Sequence, residues 1–122
     1  KISKNDKICF QIADKVPELV NLASKTSIRE SMALISGATR VVGSDTGLTH
    51  AAEALGTKVT MILGPTSRET GATTILEDSS CVESKDTWCR PCSQNGSKAC
   101  YRSSQVCMDS IKTEEVHNTF VD

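Results

Sequence analysis

Between residues 27 and 63 the apolar spacing alternates between helical and extended periods, and few architectures accept a chain of that kind. Ser27-Ile28-Arg29-Glu30 has the spacing of a capping box. It opens a helix with Ile28, Met32, Leu34 and Ile35 on one face, and Gly37 ends it. Thr39, Arg40, Val41 and Val42 read as a strand. A further helix follows, with Leu48, Ala51, Ala52 and Leu55 on one face and Gly56 past its end. Residues 58–63 read as a strand of the buried type. Upstream, Ile8, Ile12, Ala13 and Val16 mark a helix over 5–16 that Pro17 stops, and 18–22 is a short extended run. Helix and strand alternating in this way predict an α/β fold: a parallel sheet with helices packed on it. Right-handed crossovers then place the turns at 23–26, 43–47 and 64–67 at one edge, beyond the carboxyl ends of the strands. Open α/β sheets bind their ligands at that edge.

After residue 68 the pattern weakens. Thr73, Thr74, Ile75 and Leu76 read as one more strand. Residues 79–110 are rich in Ser, Cys and polar side chains without a period, which predicts a surface loop pinned by its cysteines. Thr113, Glu114 and Glu115 cap a final helix that turns Val116, Phe120 and Val121 inward.

Charge and composition exclude several functions. The chain has 122 residues, and its 14 basic and 15 acidic side chains give a net charge of -1, not the basic surface a nucleic acid requires. Phe10, Trp88, Tyr101 and Phe120 are its only aromatic side chains apart from histidine, too few for a base-stacking platform. No apolar run approaches the ~20 residues of a membrane-spanning helix. The start, residues 1–6, lacks the apolar run of a signal peptide, so none is expected within the sequence. Lys1 is not a methionine and helix signals begin just after it, so the chain reads as a piece of a longer one.

The segment Gly43-Ser44-Asp45-Thr46-Gly47 joins a strand to a helix. A glycine there lets backbone approach a ligand closely. The helix start offers unpaired N–H groups and partial positive charge, which suit a diphosphate. Asp45 or Thr46 can cap the helix, Thr46 adds a hydroxyl donor, and His50 lies one turn on, within reach of a phosphate or sugar. The same spacing is also that of an ordinary capped helix with a surface histidine. Lys25 and Thr26 fall at the same predicted edge and are candidates for ligand contact, or are simply solvated residues ahead of a helix.

Six cysteines are many for this length. Cys89, Cys92, Cys100 and Cys107 cluster, whereas Cys9 and Cys81 stand apart. Cys89 and Cys92 have the spacing that opens a structural zinc site, but Cys100 and Cys107 are too far apart in sequence for the usual second pair. Zinc, disulfides and free thiols all remain open at this point. A catalytic cysteine lacks a partner, because neither His50 nor His117 has a triad-like context.

Taken together, these segments resemble glycosyltransferase family 9, the heptosyltransferases of the lipopolysaccharide inner core. The similarity runs through Leu22-Ala23-Ser24-Lys25-Thr26-Ser27-Ile28-Arg29-Glu30, then Val41-Val42-Gly43-Ser44-Asp45-Thr46-Gly47-Leu48-Thr49-His50, then Gly64-Pro65-Thr66 and the cysteine string. Ser24 stands where the family has a glycine. The resemblance implies a GT-B architecture of two facing Rossmann-like halves. Residues 1–122 would be the carboxyl-terminal, donor-binding half, incomplete at its start, with the cysteine-rich loop at 79–110 inside it. It implies donor contacts from Asp45, Thr46, Gly47 and His50, a position near the nucleotide base for Thr26, and ribose contact for Asp6. It further implies inverting, metal-independent transfer from a nucleotide-diphosphate sugar such as ADP-heptose to a lipopolysaccharide-core acceptor, with the base in the other half. No cofactor is required beyond a structural zinc, should the thiols hold one. The implied location is the cytoplasm, peripheral to the inner membrane at most. Three other readings compete: a non-catalytic nucleotide-sugar module, a sugar-nucleotide epimerase or hydrolase of the same architecture, and a cysteine-stapled interaction domain.

Overall fold

A computed structural model describes residues 4–121. Lys1, Ile2 and Ser3, the head of the polar start, lie outside the described residues. The chain divides into two compact units, Lys1–Ala33 and Leu34–Asp122.

In the first unit, helix α1 spans Lys4–Lys15. The extended run expected at 18–22 forms no strand. Its place is taken by turns, with the Leu19 amide bonded to the Val16 carbonyl and the Lys25 amide to the Leu22 carbonyl. Helix α2, Ile28–Ser36, begins in this unit with the predicted capping box. The Ser27 amide donates to the Glu30 carboxylate at 2.7 Å, and the Glu30 amide donates to Ser27 Oγ at 3.3 Å. Those bonds, the one from the Ser27 amide foremost, hold the Glu30 carboxyl below its usual range. Ile8, Ile12, Val16, Ile28 and Leu34, on the apolar faces read from the spacing, are all exposed. Periodicity decides which side chains share a helix face, not what covers that face.

The second unit holds the sheet. Strands β1 (Val41–Ser44), β2 (Val59–Leu63) and β3 (Ser80–Glu83) lie in that order, all parallel. Helix α3, Gly47–Ala54, connects β1 to β2 and packs on both. The core is Ala52 of α3 with Val59, Met61 and Leu63 of β2 and Ala72, joined by Ile35, Val41 and Cys81 at its margin. β2 is the middle strand, so its near-continuous apolar run is what a strand covered on both faces requires. Short helices α4 (Val106–Asp109) and α5 (Thr113–His117) follow.

Three expectations fail here, for physical reasons. Residues 73–76 are not a strand, and the third strand falls at 80–83, inside the predicted loop. The amides of Ile75 and Leu76 donate to the buried carboxylate of Glu53 at 2.9–3.1 Å, so they are withdrawn from any ladder. The cysteine-rich stretch also contains α4, which buries Cys107. At the end of the chain α5 stops at His117, and Phe120 and Val121 are exposed while Val116 is half-buried. The Phe120 ring instead receives the Arg40 guanidinium, 6.0 Å from its centroid.

The turn after β1 is fixed by Thr49. Its hydroxyl accepts from the Thr46 amide at 3.1 Å and reaches the carbonyls of Ser44 at 2.9 Å and Thr46 at 2.7 Å. Gly43 lies against the other branch of the same side chain, and a Cβ there would stand 2.7 Å from Thr49 Cγ2. Because the hydroxyl contacts pin Thr49, that methyl cannot swing aside. Gly43→Ala is therefore expected to destabilise the intact protein by ~1–3 kcal/mol, measured by urea unfolding, with Thr49→Ser restoring most of the loss in the double variant.

Candidate functional site

Because the strands are parallel, the carboxyl ends of β1 and β2 open on one edge. A cleft of about 240 Å³ lies there. Ser44 and Asp45 line it from the turn after β1, and Gly64, Pro65 and Thr66 from the loop after β2. Ile62 and Met108 supply apolar surface, and Asn95 and Gly96 form the remaining wall. Asp45 is the only ionisable side chain among these lining residues.

Asp45 is held from one side. His50 Nε2, on the first turn of α3, is 2.7 Å from Asp45 Oδ1. The Asp45 side chain is one-fifth exposed and that of His50 less than half exposed; Asp45 lines the cleft and His50 does not. Thr46 and Gly47 do not line the cleft. The Thr46 hydroxyl, expected to be a ligand donor, lies 3.4 Å from Thr49 Oγ1, within the start of α3. Gly47 is not forced to be glycine by its neighbours: its φ is negative and a Cβ would meet nothing within 4 Å. The amides of Gly47 and Leu48 have no intrahelical acceptor, as in the first turn of any helix.

The remaining predicted residues belong to the first unit. Asp6 Oδ1 accepts a hydrogen bond from Ser24 Oγ at 2.8 Å. Ser24 adopts φ +59°, the left-handed region that favours glycine. Thr26 Oγ1 is 3.0 Å from Ser31 Oγ, and Lys25 is exposed.

The cysteine-rich segment supplies parts of the cleft that sequence reasoning missed. Its anchor is Arg90, whose side chain is 8% exposed. Nε donates to the Gly64 carbonyl at 2.6 Å and Nη1 to the Ser84 carbonyl at 2.8 Å. Nη2 donates to the Thr66 carbonyl at 2.9 Å and to Glu83 Oε2 at 2.7 Å. One guanidinium thus ties the loops after β2 and β3 to the segment that carries Asn95. Pro65 adds a second tie, its carbonyl accepting from the amides of Cys92 at 3.1 Å and Ser93 at 3.3 Å. Met108, on α4, packs so closely on Gly64 that a Cβ there would fall 2.5 Å from its sulfur. An Arg inside a polar loop gives no sign in the sequence of burial.

All six thiols are free. Among the described residues no group of three or more His, Cys, Asp or Glu side chains is placed to hold a metal ion. Cys89 accepts from Arg102 Nη1 at 3.8 Å, and that contact above all draws its thiol below the usual range. Burial pushes the Cys107 thiol up, reinforced by Cys92, Cys89 and Cys100 nearby.

Comparison with known proteins adds the following. The profile of glycosyltransferase family 9 (heptosyltransferase) matches residues 2–101. Lipooligosaccharide heptosyltransferase 2 of Haemophilus influenzae is 37% identical over 70 residues, which is 53% of this chain and 20% of that protein. The match therefore spans about one-fifth of the relative's length. No solved structure matches the chain.

Proposed function

This chain belongs to glycosyltransferase family 9, and we propose on that premise that it is the donor-binding part of a heptosyltransferase, the carboxyl-terminal half of a GT-B enzyme. The donor is a nucleotide-diphosphate sugar, ADP-heptose, and the acceptor a lipopolysaccharide-core sugar. Transfer inverts the anomeric centre and uses no metal.

One observation carries this reading: the turn after β1 brings Asp45 to a cleft beyond the carboxyl ends of two parallel strands, and α3 begins directly after that turn. As the bond to the anomeric carbon breaks, negative charge grows on the leaving diphosphate. Fixed amide dipoles at the start of α3 stabilise that charge without reorganising, which is electrostatic catalysis. Asp45, held by His50, accepts hydrogen bonds from hydroxyl groups in the cleft. The base that activates the acceptor belongs to the other half of the enzyme in this reading.

The test is direct. The intact protein is expected to bind ADP and ADP-heptose in calorimetry and to transfer heptose to a heptose-deficient core acceptor. Gly47→Ala is expected to keep the wild-type unfolding midpoint, because the added methyl meets no protein atom. It should nevertheless weaken ADP binding at least about fivefold, ~1 kcal/mol, by filling the space over the α3 amides. An ADP affinity equal to wild type would remove the diphosphate from that place.

A further inference from the structure

We propose that Asn95, at the tip of the cysteine-rich segment, is the specificity residue for the donor's sugar, its side-chain amide paired with the Asp45 carboxylate across the cleft to read the sugar's hydroxyl groups. The proposal rests on the donor-binding reading above. Asn95 and Asp45 both line the cleft. The orientation of the Asn95 amide is set by chemistry: its oxygen accepts from the Ser97 amide at 3.2 Å and from Ser97 Oγ at 2.6 Å. A backbone N–H can only donate, so the group facing it is the oxygen, and the amide nitrogen is left as the outward group. Among the described residues that nitrogen has no partner.

The cleft therefore presents one strong acceptor, Asp45, and one unpaired donor, Asn95. A sugar hydroxyl both donates and accepts, and so satisfies the two together. A diphosphate offers only acceptors and would be repelled by Asp45; it belongs at the α3 amides instead. Pro65 and Met108 line the same cleft and give a sugar's C–H face an apolar surface. The wall carrying Asn95 is also fixed in place, since Arg90 and the Pro65 carbonyl tie its segment to the loop after β2. Gly96, at φ +73°, makes the turn that brings Asn95 to the cleft.

Calorimetry on the intact protein with ADP and with ADP-heptose tests this. Asn95→Ala is expected to weaken ADP-heptose roughly fivefold to tenfold, the range of one neutral hydrogen bond, and to change ADP less than twofold. Lys98→Ala, on the same exposed turn but outside the cleft lining, is expected to change neither ligand more than twofold. Equal weakening of both ligands by Asn95→Ala, no effect on either, or the same selective loss in Lys98→Ala would each overturn the assignment. If the wild-type protein binds neither ADP nor ADP-heptose, the donor-binding reading falls and takes this one with it. If it binds both and Asn95→Ala does not separate them, only the role of Asn95 falls.

Discussion

Arg90→Ala is expected to lower the unfolding free energy of the intact protein by ~3 kcal/mol or more, the largest stability effect of any single substitution outside the core. Hydrogen bonds to a charged group contribute ~1.5–3 kcal/mol each, and Arg90 makes four from one nearly buried side chain. Their sum is not additive, because water can reach the freed carbonyls of Gly64, Thr66 and Ser84 once the loops part. Arg90→Lys should recover less than half of the loss, since one ammonium cannot match the fork that spans three carbonyls. Glu83→Gln should cost under ~1 kcal/mol, because Glu83 is well exposed and its ion pair is screened by solvent. Urea unfolding of the three variants checks the ranking. If Arg90→Ala unfolds like wild type, the guanidinium is not the anchor of the cleft wall.

Asp45→Ala is expected to lower turnover of the intact enzyme at least about tenfold, equivalent to ~1.4 kcal/mol of barrier. Among the described residues Asp45 is the only ionisable one lining the cleft, and His50 holds its carboxylate at 2.7 Å. Removing it deletes the acceptor for the ligand's hydroxyls and releases the imidazole to solvent. Asp45→Asn keeps an oxygen that can accept from His50 and loses only the charge, so its rate should fall between the two. Stability should change little in either variant, since the pair is partly exposed and contributes weakly to folding. Steady-state kinetics on folded variants decides: turnover at the wild-type level in Asp45→Ala would refute the role.

Much of this layout was legible in the residues. The capping box at Ser27 and Glu30, the strand ending at Ser44, the helix opening at Gly47 and the buried strand to Leu63 all stand where the pattern predicts, within a residue or two. Each is a local signal, carried by spacing over a few positions. The misses share a cause. Thr73 to Leu76 has strand-forming side chains, yet the amides of Ile75 and Leu76 go to a carboxylate 22 and 23 residues upstream in sequence. Arg90 looks like an ordinary loop arginine until its four partners are seen. Asn95 and Met108 lie 50 and 63 residues beyond Asp45 in number, and no period links them to it.

From sequence alone came the alternation that makes a parallel α/β sheet, the turn that puts Asp45 at a strand's carboxyl end, and the family to which the chain belongs. Those are properties of neighbouring residues, where backbone preference and apolar spacing act directly. The tertiary structure alone decided that His50 clamps Asp45, that Thr46 turns into the helix start, and that the cysteine-rich segment closes the far side of the cleft. Such contacts join residues distant along the chain, and they form only where the buried donors and acceptors of one segment must find partners in another.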